Sequence, residues 1–481
     1  MEKIAKNKGI LINRIIAVVA SVLLLTFGMI MAEINQFVTG TVLVVGAVLL
    51  YFFMVNKISD KNYLSFSAVF NAVWIATIGL AQLRLLSYQK IWSPRTWISV
   101  ILTTVFMQIA IPFGHKIGKK IFNRFYTKKS VEIGRVKFEF KKQRLFWICL
   151  ISTIVSVILF VWNIFVKGYV PFFSTMFNAY AFFYTKRMVF VTAACVISPI
   201  AYWCIKKCEL AKGKKIWMYI CIAINTFIVP ILQVNRGVFV VAALMLTAAI
   251  FFLNGKKFLV LLLCLVVTFG FYEVGSVARN YTNEYLISVF EPTKFNPSDE
   301  DPDSNAEDPD SSDPGDTNAG GFQLPAKLSF LYGYFTISHD NFNHAVINAS
   351  EYTYGVRQLS PFNVILRSQA IYDVLGDAEF HMIKPNLNTA NLISGVYYDL
   401  REFGVILFVT LWGLLLGAIE MLYLKSKGVF ALAALGNALT PVVLSFFASW
   451  FENFTLWLFW GTIFLIMLLA SITITPKTKK Q

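Results

Sequence analysis

Long apolar runs cut by short polar stretches dominate the chain. They lack both the three-and-four spacing of a half-buried helix and the alternation of a half-buried strand. A helix needs about 20 apolar residues to cross the ~30 Å hydrocarbon layer of a bilayer. Twelve runs meet or approach that length: Ile10–Met31, Phe37–Val55, Tyr63–Leu83, Trp97–Phe113, Leu145–Val166, Met188–Ile205, Ile216–Gln233, Gly237–Leu253, Phe258–Gly275, Phe403–Leu424, Val429–Ser449 and Phe454–Ile474. The pattern predicts an all-α polytopic membrane protein with about 12 transmembrane helices. Lys3, Lys6, Lys8 and Arg14 open the first run as they would open a signal peptide. That run is 22 residues long and lacks a clear small-residue cleavage site, so it reads as an uncleaved span.

The polar stretches set the orientation, because cytoplasmic loops collect Lys and Arg. With the amino terminus inside, 29 of the 43 basic residues fall on the inner side, 11 of them between His115 and Arg144. Acidic residues divide the other way, 6 inside and 21 outside or at outer span ends. Both termini are therefore expected in the cytoplasm. The division predicts a nine-helix region at 1–275, with a basic cytoplasmic loop at 114–144 and an outer loop at 167–187. A large extracytoplasmic loop follows at 276–402, then a three-helix region with a basic tail at 403–481. The basic inner loops suit anionic headgroups, so membrane lipids are expected partners and nucleic acid is not.

Composition narrows the picture further. The chain is 57% hydrophobic and 15% charged, against about 45–50% and 25% in soluble proteins, which excludes water-soluble enzyme classes. Six cysteines lie in or beside apolar runs and none in the acidic loop, which argues against an extracellular disulfide framework. Cys204 and Cys208 have no further Cys or His close in sequence, so they are not read as a zinc site.

Loops as long as 276–402 are usually functional or disordered, and this one reads as both. Pro297–Gly320 carries nine acidic residues, four prolines and no Lys or Arg, a disordered composition. Its Asp299, Asp301 and Asp303 start like a calcium loop, but Ser304 and Asp310 stand where Gly and Glu belong, so it reads as a solvated insert. Phe322–Arg401 is too apolar for disorder and too interrupted to span. It is expected to fold as short helices roofing a cavity.

Four segments carry a resemblance. They are GYVPFFS at Gly168–Ser174, NRG at Asn235–Gly237, EYTYGVRQLSP at Glu351–Pro361, and NLNTANLISGVYYDLREFG at Asn386–Gly404. In order and side they resemble the Wzy-type oligosaccharide repeat-unit polymerases of O-antigen and capsule synthesis. Two features depart from that pattern: the acidic insert, and a split terminal D-F-G in which either Asp399 or Glu402 stands for the carboxylate. The resemblance implies a GT-C-like glycosyltransferase in the bacterial cytoplasmic membrane. Its donor and acceptor would be undecaprenyl diphosphate-linked glycans, joined at the outer face with inversion of the anomeric centre. It implies no cofactor, and a chain-length regulator and a flippase as partners.

Such a reaction needs cations for the diphosphate and a base for the acceptor hydroxyl. Arg suits the first task, because its fork binds phosphate oxygens in pairs and stays charged. Arg236 sits in an outer turn about three residues long between two apolar runs, and a charge at that depth suggests function. Arg279, Arg357, Arg367, Arg401 and the pair Lys186 and Arg187 are the other diphosphate-binding candidates, while Arg84 and Arg95 read as span flanks. His339, Asp399 and Glu402 are the candidate catalytic bases. His339 and His344 are spaced i, i+5 and do not share a helix face, so no metal is expected. The competing readings are a lipid-linked oligosaccharide flippase, an O-antigen ligase-like transferase and a small-solute transporter.

Overall fold

The computed structural model of the chain describes residues 2–126, 131–133, 136–174, 176, 179–255, 258, 261–262, 270, 325–349, 351–377, 381–383 and 389–474. The acidic insert at 297–320, Arg279, the tail after Pro476 and nearly all of the expected span Phe258–Gly275 lie outside the described residues.

The described helices longer than ten residues are, in chain order, α1 (Glu2–Met31), α2 (Gln36–Lys57), α3 (Phe66–Gln82), α4 (Pro94–Ile121), α5 (Lys142–Lys167), α6 (Met188–Lys207), α7 (Lys212–Leu232) and α8 (Arg236–Leu253). After the undescribed stretch come α9 (Ala326–Asn348), α10 (Val356–Leu366), α11 (Ser394–Ser426), α12 (Val429–Val443) and α13 (Phe454–Ser471). Among the described residues, nine helices are long and apolar enough to cross a membrane, so the chain is a polytopic helical membrane protein. Two of the twelve expected spans form helices of fewer than 18 residues. Helix α3 has 17 residues and starts only at Phe66, after Ser65, and α12 has 15 and leaves helical geometry at Leu444. Residues 445–449 are thereby released from the predicted span.

Polar residues start several of the helices at one pole of the bundle. Asn35, Ser93, Asn235 and Asn453 accept from backbone N–H groups in the first turns of α2, α4, α8 and α13. Each satisfies a donor the helix itself leaves open. The opposite pole, rich in Lys and Arg, gathers the starts of α1 and α3 and the ends of α2, α4 and α11. There Asn13 Nδ2 donates to the Lys57 carbonyl at 3.3 Å, and His115 Nε2 meets Glu420 Oε2 at 2.9 Å. Glu420 Oε1 also accepts from the Phe66 N–H at 3.3 Å. This up-and-down arrangement is the one the loop charges imply.

Helices α4 and α11 pack most intimately. A β-carbon on Gly417 would lie 2.1 Å from the Ile111 carbonyl oxygen, and one on Gly114 would lie 2.3 Å from that of Leu414. Without a hydrophobic effect between helices in lipid, such small residues let backbones touch and hold the pair by packing.

The expected all-α fold needs one addition. Val131–Ile133 (β1), Val136–Phe138 (β2) and Ile472–Ile474 (β3) form a small antiparallel sheet in the order β1-β2-β3. The β-branched Ile472, Thr473 and Ile474 favour an extended chain, so the last span ends at Ser471 and its tail pairs with the basic loop.

Candidate active site

Two segments far apart in sequence, Glu351–Pro361 and Asn386–Gly404, meet on one carboxylate. Asp399 is fully buried in α11. Its Oδ1 accepts from Thr353 Oγ1 at 2.5 Å, the Gly355 N–H at 3.0 Å and the Arg357 N–H at 3.2 Å. Gly355 adopts φ +89° just before α10, a conformation that glycine takes without strain. Asp399 thus caps α10 from another segment, with its charge at the helix's positive end. The clasp adjoins a break in α11, where Leu400 and Arg401 leave helical geometry.

The clasp aims the first turn of α10 at Glu452. Gln358 Nε2 donates to Glu452 Oε1 at 2.8 Å. The Arg357 guanidinium stacks over the Tyr398 ring, 4.7 Å from its centroid. Burial pulls this guanidinium below its ordinary value, while Glu452, Tyr398 and Asp399 pull it back. Glu452 lies in the turn between α12 and α13, and desolvation pushes its carboxyl up to about 7 against the opposing pull of Gln358 and Arg357. That carboxyl sits flush against the first turn of α11: a β-carbon on Gly395 would fall 1.6 Å from Glu452 Oε1. Gly395→Ala is therefore expected to displace Glu452 and cost about 1–3 kcal/mol of stability. A detergent melt and a transfer assay on the same sample check this; an unchanged melt would show that the pocket yields.

Arg236 opens α8 behind its cap Asn235 and is buried. Its Nη1 donates to Tyr334 Oη at 3.4 Å. The Tyr334 ring stacks on Phe447 at 5.6 Å with an interplanar angle of 9°. Phe447 belongs to the same connection, 444–453, that carries Glu452. Arg236 and Arg357 thus reach one segment through different neighbours.

Helix α9 holds this segment in place. Its Ser338 donates to the Phe446 carbonyl, and the Leu392 N–H donates to the Ser445 carbonyl at 2.8 Å. His339 is fully buried between two polar partners: Nε2 meets Thr77 Oγ1 at 3.0 Å and Nδ1 meets Asn391 Nδ2 at 3.3 Å. Burial drives its pKa down to about 3, so the ring is neutral. Asn391 in turn accepts from the Ile393 N–H and the Ser394 hydroxyl, starting α11. Next to His339, Asp340 accepts from Gln89 Nε2 at 2.8 Å and Trp92 Nε1 at 3.0 Å, and desolvation pushes it up to about 7. These contacts fasten α9 to the α3–α4 connection. A base facing an acceptor hydroxyl needs a free lone pair and access; His339 has the setting of a pillar. His339→Ala is expected to lower stability by about 2–4 kcal/mol, because it opens a cavity and strands two polar partners. A thermal melt checks this; a variant that melts like the wild type but is inactive would restore His339 as the base.

The other sequence-predicted residues scatter. Arg401 takes φ +53° at the break in α11 and donates to the Ala349 carbonyl, its guanidinium lying 4.7 Å from the Tyr352 ring centroid and 5.2 Å from that of Tyr397. Glu402 follows, half-buried, beyond the break. Arg367 is exposed at the end of α10, ten residues past Arg357 and so about 15 Å away along the helix. Lys186 and Arg187 are exposed before α6, where the Arg187 guanidinium lies 5.8 Å from the Trp162 ring centroid of α5. Among the described residues, no group of three or more His, Cys, Asp or Glu side chains is arranged to hold a metal ion.

Glu452 and Gln358 were not among the sequence candidates. Glu452 had a readable signal: like Arg236, it is a lone charge in a short turn between apolar runs. Searches against protein-family models, curated proteins and solved structures return no match to this chain.

Proposed function

We propose that the chain is a membrane glycosyltransferase that polymerises undecaprenyl diphosphate-linked oligosaccharide repeat units into surface polysaccharide. It works at the outer face of a bacterial cytoplasmic membrane, with both termini inside. One observation carries the reading. Arg357, Gln358, Asp399 and Glu452 converge where loop helices cap the apolar bundle, with Arg236 tied to the same turn. Cations for a diphosphate and a carboxyl poised near neutrality are what the transfer demands, and the pole beside the bilayer suits a lipid-borne substrate. The four segments that resemble Wzy-type polymerases support the reading, since two of them build the clasp and a third supplies Arg236.

In the proposed reaction Arg236 and Arg357 hold the donor's diphosphate. The acceptor hydroxyl oxygen attacks the donor's anomeric carbon from the face opposite the diphosphate, which inverts the centre. The carbon–oxygen bond to the diphosphate breaks, its electron pair stays with the lipid diphosphate, and the hydroxyl proton passes to Glu452. The two guanidinium groups offset the charge that grows on the leaving group. Asp399 positions Arg357 and Gln358 by capping α10, and His339 positions the start of α11 through Asn391.

Deleting the gene tests the reading in the native cell. The expected result is surface glycan reduced to single repeat units, restored by the wild-type chain and not by Arg357→Ala. Long glycan persisting without the chain would refute it. Loss of all glycan, single units included, would favour a flippase.

A further inference from the structure

Beside the glycine seam, α4 and α11 leave a groove of about 520 Å³, within the ~300–1,000 Å³ of small-molecule sites. Phe113 and Ile117 of α4 and Thr410 and Leu414 of α11 line it, and Lys116 and Lys120 close one end. The two lysines are exposed, one turn apart on the same helix face. The Lys116 ammonium folds back to 4.6 Å from the Phe113 ring centroid, over the apolar wall. Among the described residues, no carboxylate lines the groove. The nearby Glu420 is engaged by His115 and the Phe66 N–H. The result is an apolar trough with two cations at its mouth, at the pole where the basic loops gather.

We propose that this groove binds one anionic phospholipid, its acyl chain along the trough and its phosphate between Lys116 and Lys120. The site stands apart from the proposed reaction centre and does not depend on it. Any acyl chain buries the same apolar wall, so selection comes from the two ammonium groups. Near a membrane surface such a pair favours an anionic over a zwitterionic headgroup on the order of tenfold.

The test uses the purified full-length chain, stripped of lipid and titrated with phosphatidylglycerol or phosphatidylcholine of matched chains under native mass spectrometry. One phosphatidylglycerol should be retained about tenfold more tightly than phosphatidylcholine. Lys116→Gln with Lys120→Gln should abolish the preference. Ile109 also lines the groove; Ile109→Trp fills it and keeps both charges, and it should displace the lipid. Both variants alter exposed side chains and should melt with the wild type, which separates lost binding from unfolding. Equal retention of the two lipids would overturn the proposal, as would a preference that survives the double substitution. Displacement of the lipid by inorganic phosphate alone would also overturn it, since the acyl chain would then add nothing.

Discussion

Arg236→Ala should slow glycan transfer by about 10²–10³-fold, the loss typical when one donor to a developing negative charge is removed. The residue opens α8 at the rim of the bundle, where a buried charge points to function by default. Truncation also removes its contact with Tyr334 at 3.4 Å, so the melt is followed as well as the rate. Arg236→Lys should recover little, because an ammonium lacks the planar fork that grips a diphosphate in two places. Single-turnover transfer beside a thermal melt separates the two effects. An Arg236→Ala protein that melts early and keeps its per-molecule rate would make the residue structural.

Glu452→Gln should cost roughly 10²–10⁴-fold, the usual contribution of a general base, and should change the shape of the pH profile. A base works only when deprotonated. With its carboxyl raised to about 7, the wild-type rate should climb as pH rises through neutrality and level off above it. The glutamine variant has no such group and should lose that limb. Glutamine keeps the acceptor oxygen that Gln358 reaches, so the turn should hold. If His339, held near 3 by burial, were the base, the rate would already be level through neutrality and Glu452→Gln would leave the profile alone. A wild-type rate that falls through pH 7 would instead assign Glu452 the role of an acid.

Much of the architecture was legible because apolar run length is a direct physical constraint. Every described span lies within or close to a run read from the sequence, and the up-and-down order follows the distribution of Lys and Arg. Run length did not mark where helices stop. Leu444 leaves α12 inside an apolar stretch, and the released turn becomes the frame that holds Glu452. The small sheet was missed because Ile472–Ile474 is apolar enough to read as the end of a span. Arg236 was singled out by a charge placed where charge is costly and Asp399 by the split D-F-G resemblance; the logic used for Arg236 applies equally to Glu452. Gln358 had no such signal, since a lone glutamine in a polar loop looks ordinary until α10 is capped by Asp399. The choice among His339, Asp399 and Glu402 as base could not be made from spacing. It depends on which groups burial and hydrogen bonds already engage.

Reconstitution of the purified chain with an undecaprenyl diphosphate-linked repeat unit as the sole substrate tests the proposed polymerisation most directly. The expected result is a ladder of lengthening lipid-linked glycans that disappears in Arg236→Ala and Glu452→Gln. Movement of labelled lipid across the liposome bilayer with no ladder would contradict it and make the chain a transporter.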